Sequence, residues 1–178
     1  PSSAASDVYK RQIQLSIEYN ILPYMAKRYI DMFSYKGAIN FLNSLRLGLK
    51  KSIRCNTLKI TVHELVNRIN DRVKVKQSPW VPYGFWVLES KVNIGATLEY
   101  LLGYYHPQGV ASMLPPVLLE PQPQDRVLDM CAAPGSKTTQ LAQIMENKGA
   151  ILALDVDRRR MRALRSNISR LGVTNVIT

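Results

Sequence analysis

The stretch VLDMCAAPGSKTTQLA, residues 127–142, indicates the class of fold. Its first three residues end a buried-strand pattern, and the helix pattern that follows places Leu141, Ile144 and Met145 on one face. The same order then repeats in ILALD (151–155), RRRMRALRSNISRLGV (158–173) and TNVIT (174–178). Strands alternating with helices in this rhythm predict an α/β fold whose parallel sheet is wound by right-handed crossovers.

The third strand pattern stands at the end of the sequence. Doubly wound sheets commonly have about five or six strands, and only about two and a half are present. We therefore expect the C-terminal part of the sheet to be missing. Apolar strand and helix faces would then lie uncovered, so we expect the isolated chain to be poorly soluble.

The loop between the first strand and the first helix lies where such sheets bind ligands. A phosphate loop needs G-x-x-x-x-G-K-[ST], but Met130 occupies the first glycine position and Ser136 separates Gly135 from Lys137. A dinucleotide fingerprint fails too, because Gly135 is the only glycine of the loop. A nucleoside cofactor without a pyrophosphate remains, bound by small residues and by the free amides of the helix N-terminus.

Asp155 supplies the matching acid at the end of the second strand, where a carboxylate can accept hydrogen bonds from both ribose hydroxyls. The alternative is that Asp155 caps the next helix, a role that Asp157 fills equally well. The small-residue loop and this acid together make S-adenosylmethionine the natural candidate.

Composition narrows the remaining classes of protein. With 46% hydrophobic and 21% charged residues the chain is an ordinary folded protein, and its net charge of +11 favours a polyanionic partner. Cys55 and Cys131 are too few for a disulfide framework and have no metal-ligand spacing, so we expect no metal. No stretch resembles a membrane span or a secretory signal, which makes a cytoplasmic location the default.

The upstream part of the chain divides into three segments. Residues 1–12 resemble a translated adapter sequence and are left out of the fold as non-native. Residues 13–105 form a small α+β module, residues 106–124 a short helix and linker, and residues 125–178 the parallel-sheet domain.

Local signals place the elements of the small module. A helix is expected from Pro23 to Tyr35 with Gly37 as its stop, followed by a second short helix. Strand patterns occur in KSIRCNTLK (51–59), VKVK (73–76) and GFWVLE (84–89), and TVHE (61–64) has capping-box spacing. We expect Trp80 and Trp86 to pack in the core.

Several segments of the sequence resemble those of a known family. VLDMCAAPGSKTTQLA and ALDVDRRRMRALRSNISRLG are similar to motif I and its successor in the Nop/Sun family of S-adenosylmethionine-dependent RNA 5-methylcytosine methyltransferases. Upstream, IRCNTLK (53–59) and GYYHPQGVASMLPP (103–116) are similar to family segments as well. Within the family, the resemblance is in particular to archaeal members that modify transfer RNA. It implies the N-terminal half of a Rossmann-like methyltransferase sheet preceded by a small α+β RNA-binding module.

The resemblance also implies site residues. Asp155 would hold the ribose hydroxyls and Arg160 would lie near the adenosine, although Arg160 could equally be one more solvated cation of an arginine-rich helix. The methionine and ribose side of the cofactor would be lined by Cys131, Ala132, Ala133, Pro134, Gly135, Ser136 and Lys137.

The resemblance places the methyl-accepting chemistry outside this chain. Such enzymes use a cysteine thiolate, a second cysteine and an acid from later strands, and none of these groups is present. Cys131 belongs to the cofactor loop and Cys55 to the upstream module, and we interpret both as small packing residues. We therefore expect no catalytic nucleophile here and no methylation by residues 1–178 alone.

RNA, and transfer RNA in particular, is the expected partner, and no membrane is expected. In the upstream module Arg54, Lys59, Lys74 and Lys76 would contact the RNA backbone, unless they are merely solvent-facing charges. We expect a monomer. The alternatives are a non-catalytic RNA-binding module, an rRNA-specific member of the same family and a methyltransferase acting on an amine or protein.

Overall fold

A computed structural model describes residues 3–48 and 50–178, which belong to two compact units divided at residues 49 and 50. The first unit contains helices α1 (Ser3–Tyr19) and α2 (Pro23–Arg46). Its buried core consists of Leu15, Ala26, Ala38 and Leu42. Residues 3–12, which the sequence analysis leaves out of the fold, are thus part of a helix.

The expected helix break falls at a different residue. Ser34 has φ 64° and ψ 171° and interrupts α2, whereas Gly37, the predicted stop, lies inside its second segment. The Gly37 amide donates to Ser34 Oγ at 3.4 Å, so Ser34 acts as the N-cap of that segment. The prediction of two helices is confirmed, and the position of their boundary is wrong by three residues.

The second unit begins with a four-stranded antiparallel sheet and two helices. Its elements are β1 (Ser52–Cys55), α3 (Val62–Ile69), β2 (Val73–Gln77), β3 (Gly84–Ser90), α4 (Leu98–Leu101) and β4 (Tyr105–Pro107), with strand order β2-β3-β1-β4. The predicted capping box is confirmed, because Thr61 and Glu64 bond each other's backbone amides at the start of α3. One face of this sheet packs with α3 around Ile53, Leu65, Ile69 and Phe85. We call the opposite face the outer face.

The parallel sheet follows the predicted rhythm. Its elements are α5 (Val110–Leu119), β5 (Arg126–Asp129), α6 (Ser136–Ile144), β6 (Ala150–Ala153), α7 (Arg158–Leu171) and β7 (Val176–Ile177), and the strands are parallel in the order β5-β6-β7. Leu141, Met145, Ile151 and Leu171 form its covered core. The apolar side chains of the other face, Leu128, Leu152 and Ile177, are exposed.

Two expectations differ from the structure. Trp80 is 60% exposed, so its predicted place in the core is wrong. The short helix expected within residues 106–124 is present as α5, but the same segment also contains most of β4, and residues 50–178 form one compact unit. The physical reason is a set of buried polar contacts between the two sheets, described below. None of the helices within residues 3–48 and 50–178 combines the length and apolar character that a membrane crossing demands.

Candidate cofactor site

The loop after β5 is braced at its start by Asp129. One carboxylate oxygen accepts from the Cys131 amide at 3.3 Å, and the other accepts from Thr138 Oγ1 at 2.7 Å. Thr138 lies in the first turn of α6, so the same carboxylate ties the end of the strand to the start of the helix. This role of Asp129 is not evident from the sequence.

Close packing against the rest of the parallel-sheet domain explains why the loop has small residues. Ala132 and Ala133 are buried against Ala153 and Leu164, so only their backbone can face a ligand. Gly135 has φ 104°, and a Cβ there would lie 2.6 Å from Leu164 Cδ1. Both facts exclude a side chain at Gly135 and keep α7 close beneath the loop.

Asp155 lies at the end of β6 and faces this loop. Its Oδ2 accepts from the Ala133 amide at 3.1 Å and its Oδ1 from the Asp157 amide at 2.9 Å. These bonds, with Asp157 the larger contributor, hold the pKa of the Asp155 carboxyl below its usual value. Asp157, with its side chain on the Arg159 and Arg160 amides, is the N-cap of α7. The capping alternative therefore applies to Asp157, and Asp155 braces the loop.

Arg160 is brought to the same place. Its guanidinium donates to the Ala133 carbonyl and lies 3.6 Å from Asp155 Oδ2, while its side chain remains 52% exposed. Asn167, two turns further along the same face of α7, donates to the Pro134 carbonyl at 2.9 Å. The loop is thus held from below by two side chains of α7.

The arrangement fits a nucleoside cofactor with a charged tail. Within residues 3–48 and 50–178 no side chain caps the N-terminus of α6, which leaves its first amides able to donate to an anionic group. Beside Asp155, Val156 is fully exposed and offers an apolar contact for a base. The Asp155 side chain is only 2% exposed, which limits its contact with a ribose to the lone pairs left by its bonds to the Ala133 and Asp157 amides.

The structure corrects the expectation for Arg54, which is 1% exposed and does not reach solvent. Its guanidinium donates to the Ser136 carbonyl at 3.1 Å and to Thr139 Oγ1 at 2.9 Å. Burial lowers the pKa of Arg54 to about 9, so it remains a cation at neutral pH. Arg54 is therefore a clamp on the first turn of α6 and not a contact for RNA.

His106 is the cross-strand neighbour of Arg54 and holds the same turn. Burial, with Arg54 and then Arg170 nearby, lowers the pKa of His106 to about 3, so the ring is neutral at physiological pH. Its Nδ1 accepts from Arg170 at 3.0 Å, and we assign the ring proton to Nε2, which lies 2.9 Å from Ser136 Oγ. Ser136 then accepts from His106 and has its own hydroxyl proton to donate toward the cofactor side.

Lys59 also bonds carbonyls on both sides of the contact between the two sheets. Its ammonium donates to the Leu102 and Arg170 carbonyls at 3.1 and 2.8 Å. Asn56 donates to the Gly103 and Leu171 carbonyls, both at 2.8 Å. The segment IRCNTLK therefore serves the contact between the two sheets, while Lys59 stays exposed and its contact with RNA stays a prediction.

Lys74 and Lys76, like Lys59, are predicted RNA contacts that are exposed. Lys74 donates to Asn70 Oδ1 at 3.2 Å, at the end of α3. Lys76 pairs across the strands with Trp86.

Sequence reasoning missed His106 and Arg170 as parts of the site. The available signal was GYYHPQ (103–108), which resembles a family segment although it lies far from the loop in sequence. The contribution of this segment to the site follows only from the pairing of β4 with β1.

Known proteins resemble this chain over both sheets. The family described as "16S rRNA methyltransferase RsmB/F" matches residues 116–178, and "N-terminal domain of 16S rRNA methyltransferase RsmF" matches residues 22–109. A "28S rRNA (cytosine(4447)-C(5))-methyltransferase" of Homo sapiens is 40% identical over 166 residues, 92% of this chain and 20% of that protein. A "tRNA (cytosine(49)-C(5))-methyltransferase" of Pyrococcus abyssi is 46% identical over 126 residues, 70% of this chain and 40% of that protein.

A solved structure agrees with the fold. The crystal structure of a methyltransferase homolog from Pyrococcus horikoshii superposes with a TM-score of 0.85 at 41% identity, covering 93% of this chain and 54% of that one. The chain spans only 20% and 40% of the lengths of the human and Pyrococcus abyssi relatives.

Proposed function

The chain belongs to the Nop/Sun family of RNA cytosine-5 methyltransferases, and from this membership we propose that the full-length protein methylates carbon 5 of a cytosine in RNA. The observation that carries the proposal is the contact between Ala133 and Asp155, which joins the small-residue loop to the acid of the next strand. A sheet edge of this kind binds a nucleoside cofactor.

We propose S-adenosylmethionine as that cofactor, whose sulfonium supplies the transferable methyl group. The free amides of α6 and the Ser136 hydroxyl would bind its carboxylate. Asp155 would accept from the ribose, and Arg160 and Val156 would border the base. Cys131, Pro134 and Lys137 are exposed around the same loop, while Ala132, Ala133 and Gly135 contribute backbone.

Equilibrium binding of S-adenosylmethionine to the full-length protein tests the cofactor assignment. Asp155→Asn removes the charge that faces the loop and the ribose, and we expect affinity to fall by about tenfold or more. Asp157→Asn is the matched control, because asparagine caps a helix as well as aspartate does. Equal affinities for the two variants would contradict the assignment.

The RNA species has two candidates. Transfer RNA is our first proposal, supported by the 46% identity to the Pyrococcus abyssi enzyme. Ribosomal RNA is the second, because both matching family descriptions name 16S rRNA and the human relative aligns with 92% of this chain. Methylation of each purified RNA, followed by detection of 5-methylcytosine, distinguishes them.

Neither cysteine of this chain is proposed as the nucleophile. Cys55 is buried, and burial raises the pKa of its thiol to about 12, so it stays protonated. Cys131 is exposed, but its amide is bonded to Asp129 at the cofactor loop. We expect Cys131→Ser in the full-length protein to keep measurable methylation, and residues 1–178 alone to have none. Complete loss of turnover with intact cofactor binding in Cys131→Ser would reverse this assignment.

RNA binding by Lys59, Lys74 and Lys76, a cytoplasmic location and a monomeric state remain predictions. Lys76 has a better position than Lys74, because the Lys74 ammonium is already bonded to Asn70. Sedimentation of the full-length protein with and without RNA would measure the oligomeric state.

A further inference from the structure

Two tryptophans lie together outside the core of the small sheet. Trp80 stands in the loop between β2 and β3 and is 60% exposed. Its ring lies 5.8 Å from the half-buried Trp86 ring, centroid to centroid, at an interplanar angle of 83°. Neither residue belongs to the buried cluster of this sheet.

Strand alternation places Trp86 on the outer face of the sheet. Its neighbours Phe85 and Val87 pack with the core on the other side. Lys76 is directly opposite Trp86 across the antiparallel pair, and Leu88, two residues along β3, is 61% exposed. We call Lys76, Trp80, Trp86 and Leu88 the tryptophan surface.

The tryptophan surface begins where the covered part of the outer face ends. At Gly84 a Cβ would lie 2.8 Å from Met113 Sδ, so α5 rests on the strand at this residue. Trp86 is the next residue of β3 on the same face. The tryptophan surface is therefore continuous with the contact between the two sheets and lies on the same unit as the cofactor loop.

The charge around the tryptophan surface favours a polyanion. Residues 50–107 contain nine Lys or Arg and four Asp or Glu. Two of these acids are engaged within the fold, since Glu64 caps α3 and the buried Glu99 pairs with Arg72 at 2.8 Å. Exposed aromatic rings beside cations are what unpaired nucleic acid requires, because every base has a flat face to stack and every nucleotide has a phosphate.

We propose that the tryptophan surface binds an unpaired stretch of the RNA substrate, with one base stacked on Trp80 or Trp86 and Lys76 on an adjacent phosphate. This inference rests on the proposed RNA methyltransferase function. It assigns to the two tryptophans a binding role that the charge count alone does not predict. A protein partner with an apolar surface is the competing occupant.

RNA affinity of the full-length protein, measured over a series of salt concentrations, tests the inference. Trp80→Ala removes a stacking ring that is already exposed, so we expect unchanged thermal unfolding and affinity at least about fivefold weaker at every salt concentration. Lys76→Ala removes one phosphate contact, and we expect the slope of log affinity against log salt to shrink by about 0.7 to 1.

The control is Leu98→Ala on α4, which removes an apolar side chain that is 59% exposed. We expect it to leave both affinity and slope unchanged. If Trp80→Ala and Trp86→Ala bind RNA like the unaltered protein, the surface serves another partner and the inference is overturned. If the unaltered protein binds no RNA under any condition, the proposed function itself fails, and this inference fails with it.

Discussion

The outer face of the small sheet has two halves with opposite environments. The covered half carries Arg54 and His106, which are 1% and 6% exposed and hold the first turn of α6. The open half carries Lys76 and Trp86 beside the exposed Trp80. Both halves place cationic and aromatic residues on one face of the same four strands. The difference teaches that what lies over a basic residue of the module decides whether it bonds to a second sheet or stays open to solvent.

The covered half has an energetic cost that the open half avoids. Arg54 is a buried cation, and no acid is bonded to it among the residues that the structure describes. Its hydrogen bonds to a carbonyl and a hydroxyl offset part of that cost. The same two hydrogen bonds fix Arg54 against the first turn of α6. A contact that is fixed in this way is suited to positioning the cofactor loop.

Gly103→Ala is expected to give the largest effect, because the added Cβ would push apart the two sheets whose contact buries the covered half. Gly103 has φ 75°, and a Cβ there would lie 2.0 Å from the Arg170 carbonyl oxygen. Backbone cannot move aside as a side chain can, so we expect a loss of about 3 kcal/mol or more in unfolding free energy. Gly109→Ala is the control, since a Cβ there meets nothing within 4 Å. Equal chemical-denaturation midpoints for the two variants would break the comparison.

Arg54→Ala compared with Lys76→Ala contrasts the two halves directly. Without Arg54 the Ser136 carbonyl and Thr139 hydroxyl lose a buried donor, and we expect a loss of about 2 to 3 kcal/mol together with weaker cofactor binding. Lys76→Ala is expected to change stability by less than about 0.5 kcal/mol. Denaturant titration measures the unfolding free energy of both variants. Similar losses would show that burial does not make the covered half more important for stability than the open half.

His106 makes the covered half sensitive to acid. Its pKa in the folded protein, about 3, lies below the ordinary value of 6.5, so between these values the unfolded chain binds a proton that the folded chain does not. Its contribution is fully present above about pH 6.5 and falls as the pH falls toward 3, by about 2 kcal/mol at pH 5.

Unfolding free energies at pH 7 and pH 5 test this dependence. We expect His106→Gln to lack the acid-sensitive part, whereas His63→Gln at the exposed second histidine should keep it. An identical pH dependence in all three proteins would show that the buried ring is not responsible.

Ser136→Ala is expected to give the smallest of these effects. Loss of the hydroxyl that His106 orients should weaken S-adenosylmethionine binding by about fivefold, which is the worth of one ordinary hydrogen bond. Ser166→Ala, on the exposed side of α7, is the matched control. In Ser136→Ala the further change His106→Gln should cost little more affinity. Fully additive losses would argue against the Arg170–His106–Ser136 chain of hydrogen bonds.

The sequence predicted most elements because their signals are local. The capping box at Thr61 and Glu64, the strand patterns on either side of Trp80 and the parallel-sheet rhythm depend on residues a few positions apart. The candidate loop and Asp155 were also predictable, since both follow directly from the ends of strands. The helix boundary at Ser34 was not predictable. Ser34, which caps the second segment of α2, and Gly37, the expected stop, lie only three residues apart, so their local signals compete.

The sequence by itself determined the order of strands and helices, the loop at residues 131–137, the acid at Asp155 and the resemblance to a methyltransferase family. Only the tertiary structure decided that Arg54 and Lys59 join two sheets while Lys76 and the tryptophans stay open. Alternation along a strand fixes which face a side chain takes, and contacts from residues more than 80 positions away fix whether that face is wet or buried.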